Sequence, residues 1–205
     1  MKRYSRFLLF SLFLCSICMV AFAQDASSLL EKAATAYRNS NGLTAEFSIV
    51  SQASRQQSAS GTEGTISMRG EKFLFTTSES HVWFNGRTQW VYMKQNEEVN
   101  VSNPSGDELQ STNPMLLLGN YRKNYKASTK GSSIVLTPRV KSEIAKITLQ
   151  INRQNNLPSL ITLTMRNRTV TTIRISRIRT NVNQNDAIFT FNPKNYPKAE
   201  VVDLR

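Results

Sequence analysis

The stretches Thr65–Phe75 (TISMRGEKFLF) and His81–Met93 (HVWFNGRTQWVYM) decide the fold of this chain. Polar and large apolar residues alternate along both, which predicts β-strands with one buried face. Asn85-Gly86, between the apolar runs of the second stretch, is a strong signal for a β-hairpin. Arg69 is thereby set beside strands rich in large apolar side chains, an arrangement suited to holding an apolar molecule.

The period of two continues outward from these stretches. Phe47 and Ile49 alternate with polar residues in the first predicted strand, and polar residues 54–60 connect it to a second at Thr65–Arg69. Nine further strands are predicted at residues 72–77, 81–84, 88–93, 98–102, 133–137, 145–151, 160–165, 170–177 and 187–191. About eleven antiparallel strands would leave open edges unless the sheet curls, so we expect a mainly β, single-domain barrel or half-barrel.

A helix is predicted before the first strand. Apolar residues recur at helical spacing over residues 29–37, and Asn41-Gly42 ends the pattern. Ser28 with Glu31 three residues later predicts a capping box at its start.

A second, short helix is predicted at residues 113–120. Asn113-Pro114 opens it, because proline suits the first turn of a helix, and Gly119-Asn120 ends it. The four consecutive bulky apolar residues 115–118 cannot all face one core. We therefore expect a lid across the mouth of the barrel, with apolar material on more than one side; the alternative is a plug that fills one end of the barrel.

The N-terminus has the pattern of a secretory signal peptide. Basic residues at positions 2, 3 and 6 precede an apolar run at 7–22, and Ala21 and Ala23 are the small residues that signal peptidase accepts. We expect cleavage before Gln24, giving a signal peptide (1–23) and one mature domain (24–205); an uncleaved membrane anchor is the alternative. Cys15 and Cys18 both lie in the segment to be removed, so the mature domain must fold without disulfides.

The composition disfavours catalysis and metal binding. The single histidine, His81, begins a strand among apolar residues, no serine has the glycine neighbours of a nucleophile elbow, and zinc-ligand clusters are absent from the sequence. Acidic pairs such as Glu97-Glu98 point to opposite faces of a strand, where they cannot share acid–base work. We therefore expect no enzyme, no cofactor and no metal site.

The chain is basic, with a formal net charge of +12, and loss of the three basic residues of the signal peptide leaves +9. Arg166, Arg168 and Arg174 share strand parity and are expected on a solvent face. Two interpretations are open: a solvated strand face, or contact with anionic lipid headgroups or an acidic partner. Nucleic acid is disfavoured, because no aromatic residues interleave with this run and because the chain carries an export signal.

Large aromatic residues occupy several of the other strands. Phe73 and Phe75 share one face of a strand, Trp90 and Tyr92 share a face of another, and Trp83 stands between. They can pack in an ordinary core. They can instead line an apolar cavity on the concave side of a curled sheet that helices close.

Six phrases, in order, resemble the periplasmic outer-membrane lipoprotein carrier proteins of the LolA family. After the first helix they are LTAEF (43–47), GTISMR (64–69) with Phe73, NGRTQWVY (85–92), NPMLL (113–117), VLTP (135–138) and FTFNP (189–193). The resemblance covers essentially the whole mature chain. It implies an unclosed β-barrel covered by the N-terminal helix and short lid helices, with a cavity for the acyl chains of lipoproteins.

The resemblance also implies a function and partners. A carrier of this family takes acylated lipoproteins from an inner-membrane release complex and hands them to an outer-membrane acceptor. We expect a monomeric periplasmic chaperone that touches membrane surfaces only transiently.

The same resemblance implies site residues. Arg69 matches an arginine that holds the lid shut through hydrogen bonds to helix backbone, although Gly70 replaces the proline that follows it. Arg69→Leu is therefore expected to retain cargo longer and to transfer it poorly. The implied lipid-binding and lid residues are Arg69, Phe47, Phe73, Phe75, Trp83, Trp90, Tyr92, Met115, Leu116 and Leu117.

Two other functions stay open at this point: a carrier of the same fold for another hydrophobic ligand, such as a free lipid, a glycolipid or a pigment precursor, and a lipoprotein-sensing adaptor. The polar segment 52–64 is either disordered or orders on contact with a membrane or partner.

Overall fold

A computed structural model describes residues 26–53 and 60–205 of the chain. Twelve strands in this part form one sheet. They are β1 (Leu43–Gln52), β2 (Ser60–Arg69), β3 (Lys72–Thr77), β4 (Ser80–Phe84), β5 (Gln89–Met93), β6 (Glu98–Ser102), β7 (Tyr125–Lys130), β8 (Ser133–Pro138), β9 (Ile144–Ile151), β10 (Pro158–Met165), β11 (Val170–Thr180) and β12 (Glu200–Asp203).

The strand order is β12-β6-β5-β4-β3-β2-β1-β11-β10-β9-β8-β7. β1 pairs antiparallel with β2 on one side and with β11 on the other, so the two halves of the chain meet at the first strand. β12 alone among the described strands pairs in parallel, along β6. The end strands β12 and β7 do not pair with each other, which leaves the sheet unclosed. The predicted mainly β, unclosed barrel fold is confirmed.

Helices cover one face of the sheet, which we call the inner face. Residues 26–38 form α1. Between β6 and β7 lie α2 (Gly106–Thr112), a 3-10 turn (Pro114–Leu116) and α3 (Leu117–Asn124), which together we call the lid. Buried side chains of α1, the lid and the strands form one apolar cluster. An ion pair between Glu31 and Arg122 (2.9 Å) joins α1 to α3.

Both predicted helices are present, but with different bounds. The chain is already helical at residue 26, so Ser28 lies inside α1 instead of capping it. α3 runs past Gly119 to Asn124. Tyr121 is buried in the inner cluster beyond the glycine, and this packing offsets the poor helix propensity of glycine.

The predicted strand at 187–191 is wrong. A 3-10 helix occupies Asp186–Phe189, because the Asn185 side chain accepts a hydrogen bond from the backbone of Ala187 and caps it. Strands β7 and β12 had not been predicted. Both lie at the ends of the sheet. β7 is largely polar and β12 has only four residues, so hydrophobic alternation gives little signal for either.

Two further expectations are met with different bounds, and a third lies outside the described residues. The Asn85-Gly86 hairpin forms, but residues 85–88 connect its strands, and the Asn85 side chain accepts hydrogen bonds from the backbone of Arg87 and Thr88. β2 begins at Ser60, earlier than predicted, so most of the described part of segment 52–64 is strand. The predicted signal peptide (1–23) and residues 54–59 lie outside the described residues.

Candidate functional site

An apolar cavity lies on the inner face of the sheet beneath the lid. Its lining residues come from strands β1, β2, β3, β10 and β11 and from lid residues 112–115. They are Leu43, Ala45, Phe47, Ile49, Ile66, Met68, Phe75, Thr112, Asn113, Pro114, Met115, Ile161, Ile173, Ile175 and Ile178. Thr112 and Asn113 are the two polar members of this set, so the wall is suited to contact hydrocarbon.

Strand alternation places these side chains inward. Leu43, Ala45 and Phe47 follow one another at every second residue of β1, as a single face of a strand requires. β11 keeps its isoleucines inward by a β-bulge, since two of its residues, Arg177 and Ile178, lie opposite Ala45 alone. Arg177 has a positive φ of 48° and forms an ion pair with Glu46 on the outside.

The lid closes the cavity through its 3-10 turn. Asn113 is fully buried; its side-chain oxygen accepts a hydrogen bond from the backbone of Met115 (3.2 Å), and its amide contacts the sulfur of Met68 (3.7 Å). Met115 then points into the cavity. Leu116 instead lines a separate pocket of about 410 Å³ on the other side of the lid, which we call the mouth pocket. The lid therefore borders an apolar cavity on one side and a pocket of mixed polarity on the other.

The cavity is small in this closed arrangement. Its volume is about 40 Å³. A water molecule takes about 30 Å³ in the liquid, so a chain of many methylene groups does not fit. Access for such a ligand requires the lid to move.

Comparison with known proteins places this geometry in a family. The family model described as "Outer membrane lipoprotein carrier protein LolA" matches residues 17–177. The chain belongs to the LolA family. A search of curated proteins finds no match.

Two solved structures resemble the fold. A LolA-superfamily protein from Nitrosomonas europaea is 15% identical, with a TM-score of 0.50, over 81% of this chain and 97% of that chain. An uncharacterised conserved protein from Thermus thermophilus is 12% identical, with a TM-score of 0.56, over 87% of this chain and 99% of that chain. At these identities the likeness concerns the fold alone, and it agrees with the unclosed barrel of the LolA family.

Six of the ten residues implied by the LolA resemblance lie at the cavity, in the cluster around it or at the mouth pocket. Phe47, Phe75 and Met115 line the cavity. Phe73 and Leu117 are fully buried in the surrounding cluster, where the ring of Phe73 lies 5.3 Å from that of Phe75. Leu116 faces the mouth pocket, as described above.

Trp83, Trp90 and Tyr92 do not line the cavity, so this part of the expectation is wrong. They pack in a second cluster on the opposite side of the sheet, the outer face, together with Phe191 and Tyr196. The reason is strand parity: Phe84 points inward, so its neighbour Trp83 points outward, and the cross-strand partner Trp90 follows it. Most other lining residues were missed by sequence reasoning, among them the isoleucines of β11, although the period of two of Ile173 and Ile175 was an available signal.

Arg69 also differs from its implied role. Its guanidinium donates to the backbone oxygen of Gln184 (2.6 Å) and forms an ion pair with Asp186, which Lys72 also contacts (2.9 Å). The carboxylate of Asp186 thus meets two cations. None of the described hydrogen bonds of Arg69 goes to lid backbone, because Arg69 is an outward-facing residue of β2 while Met68 points inward. Arg69 therefore anchors the segment that follows β11.

A different contact ties α1 to the sheet beside the mouth pocket. The hydroxyl of Tyr37 donates a hydrogen bond to the backbone oxygen of Gly70. Gly70 has a positive φ of 59°, which glycine adopts without strain, in the tight turn between β2 and β3. Burial, with the nearby Glu71 carboxylate, raises the pKa of Tyr37, so the phenol stays a hydrogen-bond donor throughout the ordinary pH range.

The described residues contain no helix that is both long and apolar enough to cross a membrane. Within the same ranges, no three His, Cys, Asp or Glu side chains are grouped so as to hold a metal ion.

Proposed function

We propose that this LolA-family protein is a periplasmic carrier that binds the acyl chains of lipoproteins under its lid and carries them from the inner to the outer membrane. The observation that carries this proposal is the cavity, whose lining is apolar and which an insertion of short helices closes. The export pattern of residues 1–23 supports the location. The protein acts by binding, without a chemical step.

The closed lid makes reversible binding feasible. Removing an acyl chain from water contributes about 0.8 kcal/mol per methylene group, so a chain entering an open cavity would be held too tightly to leave. Exposing one buried side chain such as Met115 costs about 1.5–3 kcal/mol, about as much as two to four methylene groups contribute. Lid closure over the empty cavity therefore offsets part of the binding free energy and assists release.

Met115→Ala tests this balance. The change removes the side chain that fills the cavity, so it destabilises the closed lid by about 2–5 kcal/mol before relaxation. We expect the variant to bind a triacylated lipopeptide about tenfold more tightly or better, and to pass it more slowly to acceptor vesicles. Titration calorimetry and a vesicle transfer assay measure the two effects.

Met93→Ala is the matched control, because Met93 is exposed at the end of β5, away from the cavity. Equal lipopeptide affinity for both variants, with both folded, would contradict the proposal. Native mass spectrometry of protein isolated from the periplasm identifies the cargo. Free lipid in place of lipoprotein would indicate a carrier of the same fold for a different hydrophobic ligand.

A further inference from the structure

The outer face carries a cleft that the lipid-binding proposal does not use. It has a volume of about 460 Å³ and lies where residues 185–196 cross β3 and β4. Trp83, His81 and Tyr196 line it together with three asparagines. The wall made by residues 185–196 lies beyond residue 177, where the family match ends. The family match therefore covers the wall made by β3 and β4 but not the wall made by residues 185–196.

The aromatic rings in and beside the cleft pack against one another. The ring centroids of Trp83 and Tyr196 are 5.6 Å apart, those of His81 and Trp83 are 5.5 Å apart, and those of Tyr92 and Tyr196 are 4.7 Å apart. At these spacings no group fits between the rings, which excludes an aromatic cage around a quaternary ammonium ion. Tyr196 and His81 are only half-buried, so a ligand can lie against their exposed surfaces.

Asparagine amides stand beside these rings. The side-chain oxygens of Asn185 and Asn192 accept hydrogen bonds from the backbone of Ala187 (3.0 Å) and Lys194 (3.1 Å). Both amide groups are thereby oriented, and their NH₂ donors remain for a ligand. Asn195 makes no side-chain hydrogen bond to another described residue, so its amide can both donate and accept.

The cleft is uncharged. No Asp, Glu, Lys or Arg is among its described lining residues. Burial, with Lys94 nearby, lowers the pKa of His81, so the imidazole is neutral at neutral pH. A charged ligand would find no counter-charge on the cleft wall.

We propose that this cleft binds a neutral saccharide. A pyranose ring presents C–H groups on its faces, which are attracted to the electron-rich faces of aromatic rings. Its hydroxyls both donate and accept hydrogen bonds, as asparagine amides do. The volume lies within the range of about 300–1,000 Å³ that is usual for small-molecule sites. This assignment does not depend on the carrier function.

The test uses the mature chain, residues 24–205, and two uncharged probes, maltotetraose and the β-1,4-linked tetrasaccharide of N-acetylglucosamine. Saturation-transfer NMR detects binding, and titration gives the dissociation constant. We expect at least one probe to bind. Asn195→Ala should weaken binding about fivefold, because a neutral hydrogen bond is lost, and Tyr196→Leu should abolish it, because the stacking ring is lost.

Asn120→Ala is the matched control, since Asn120 is an exposed asparagine that lines the mouth pocket on the other face; it should bind like the parent. Asn195 is exposed, so its variant decides the test even if Tyr196→Leu does not fold. Lack of binding to both probes overturns the proposal, as does parental affinity in Asn195→Ala. Choline that binds the cleft in competition with either probe would overturn it in favour of a cation site.

Discussion

The inner and outer faces of β3–β5 carry equally large aromatic residues but differ in what covers them. On the inner face, Phe73 and Phe84 pack with helix α1 and the lid, in a cluster that has 25 buried members among the described residues. On the outer face, Trp83 packs with Phe191 in a cluster that has four buried members in the same part of the chain. The inner cluster therefore dominates the stability of the domain. The difference teaches that aromatic content marks a buried face but does not tell which element buries it.

The two covers are also attached differently. The lid rests on the inner face chiefly through apolar contacts and the side chain of Asn113. Among the described residues its ion pair is that of Arg122 with Glu31 of α1, and none joins it to the sheet. The segment after β11 is held by Arg69, Lys72 and Asp186, and it ends in the paired strand β12. We interpret the inner cover as the one that moves and the outer cover as the one that stays.

The largest effect is expected from Phe73→Ala. Phe73 is fully buried among rings of the inner cluster, so its removal leaves a cavity and should lower the free energy of unfolding by about 3–5 kcal/mol. Tyr92→Ala on the half-buried outer face should cost clearly less, because less apolar area is removed from contact. Urea unfolding of both variants measures the difference. Equal losses in the free energy of unfolding would contradict the greater contribution of the inner face.

Gly64→Ala should have the next largest effect. A β-carbon at Gly64 would lie 2.2 Å from the backbone oxygen of Thr76 and 2.8 Å from the ring of Phe47, so β2 and β3 would have to separate. We expect the free energy of unfolding to fall by about 1–3 kcal/mol or more, as it does at other overpacked sites. In the same strand, Gly61→Ala meets only ordinary contacts, the nearest at 3.6 Å. Gly61→Ala should be neutral or slightly stabilising. Thermal melts of both variants test this, and equal melting temperatures would contradict it.

Asp186→Ala tests whether ion pairs hold the segment after β11 on the outer face. The carboxylate of Asp186 is paired with Arg69 and Lys72, but it is half-exposed, so we expect a loss of at most about 1 kcal/mol in global stability. Hydrogen exchange should nevertheless rise in residues 182–196. Asp203→Ala removes an equally exposed carboxylate paired with Arg205 and serves as control. Faster exchange in the lid alone would instead favour the role that the family resemblance implied for Arg69.

The smallest effect concerns pH. The pKa of His81 is lowered by burial and by Lys94, so the unfolded chain binds a proton more readily than the folded one. Stability should therefore be lost as the pH falls through the usual range of histidine, and regained as it rises. Unfolding midpoints followed by tryptophan fluorescence should show a small decrease in mild acid. His81→Gln should remove that decrease; an unchanged slope in the variant would exclude His81 as its source.

Much of the fold was predictable because its signals are local. The alternation in Lys72–Thr77 and Glu98–Ser102 predicted strands with the bounds that the structure shows, and Asn113-Pro114 marked the start of the lid turn. Phe47, Phe75 and Met115 were recognisable as cavity residues through the resemblance to the LolA family. β7 and β12 were not predictable, since pairing with a neighbour sustains them more than their own pattern does.

The sequence by itself determined the alternation of the strands, the apolar lid and membership of the LolA family, because each depends on residues close together in the chain or on their order. Only the tertiary structure decided which face each aromatic residue occupies. It also decided that Arg69 pairs with Asp186, which lies 117 positions away in the sequence. Strand alternation predicts that neighbours such as Trp83 and Phe84 point to opposite faces of the sheet. It does not predict which face the helices cover. That choice depends on contacts between distant segments, which no local pattern encodes.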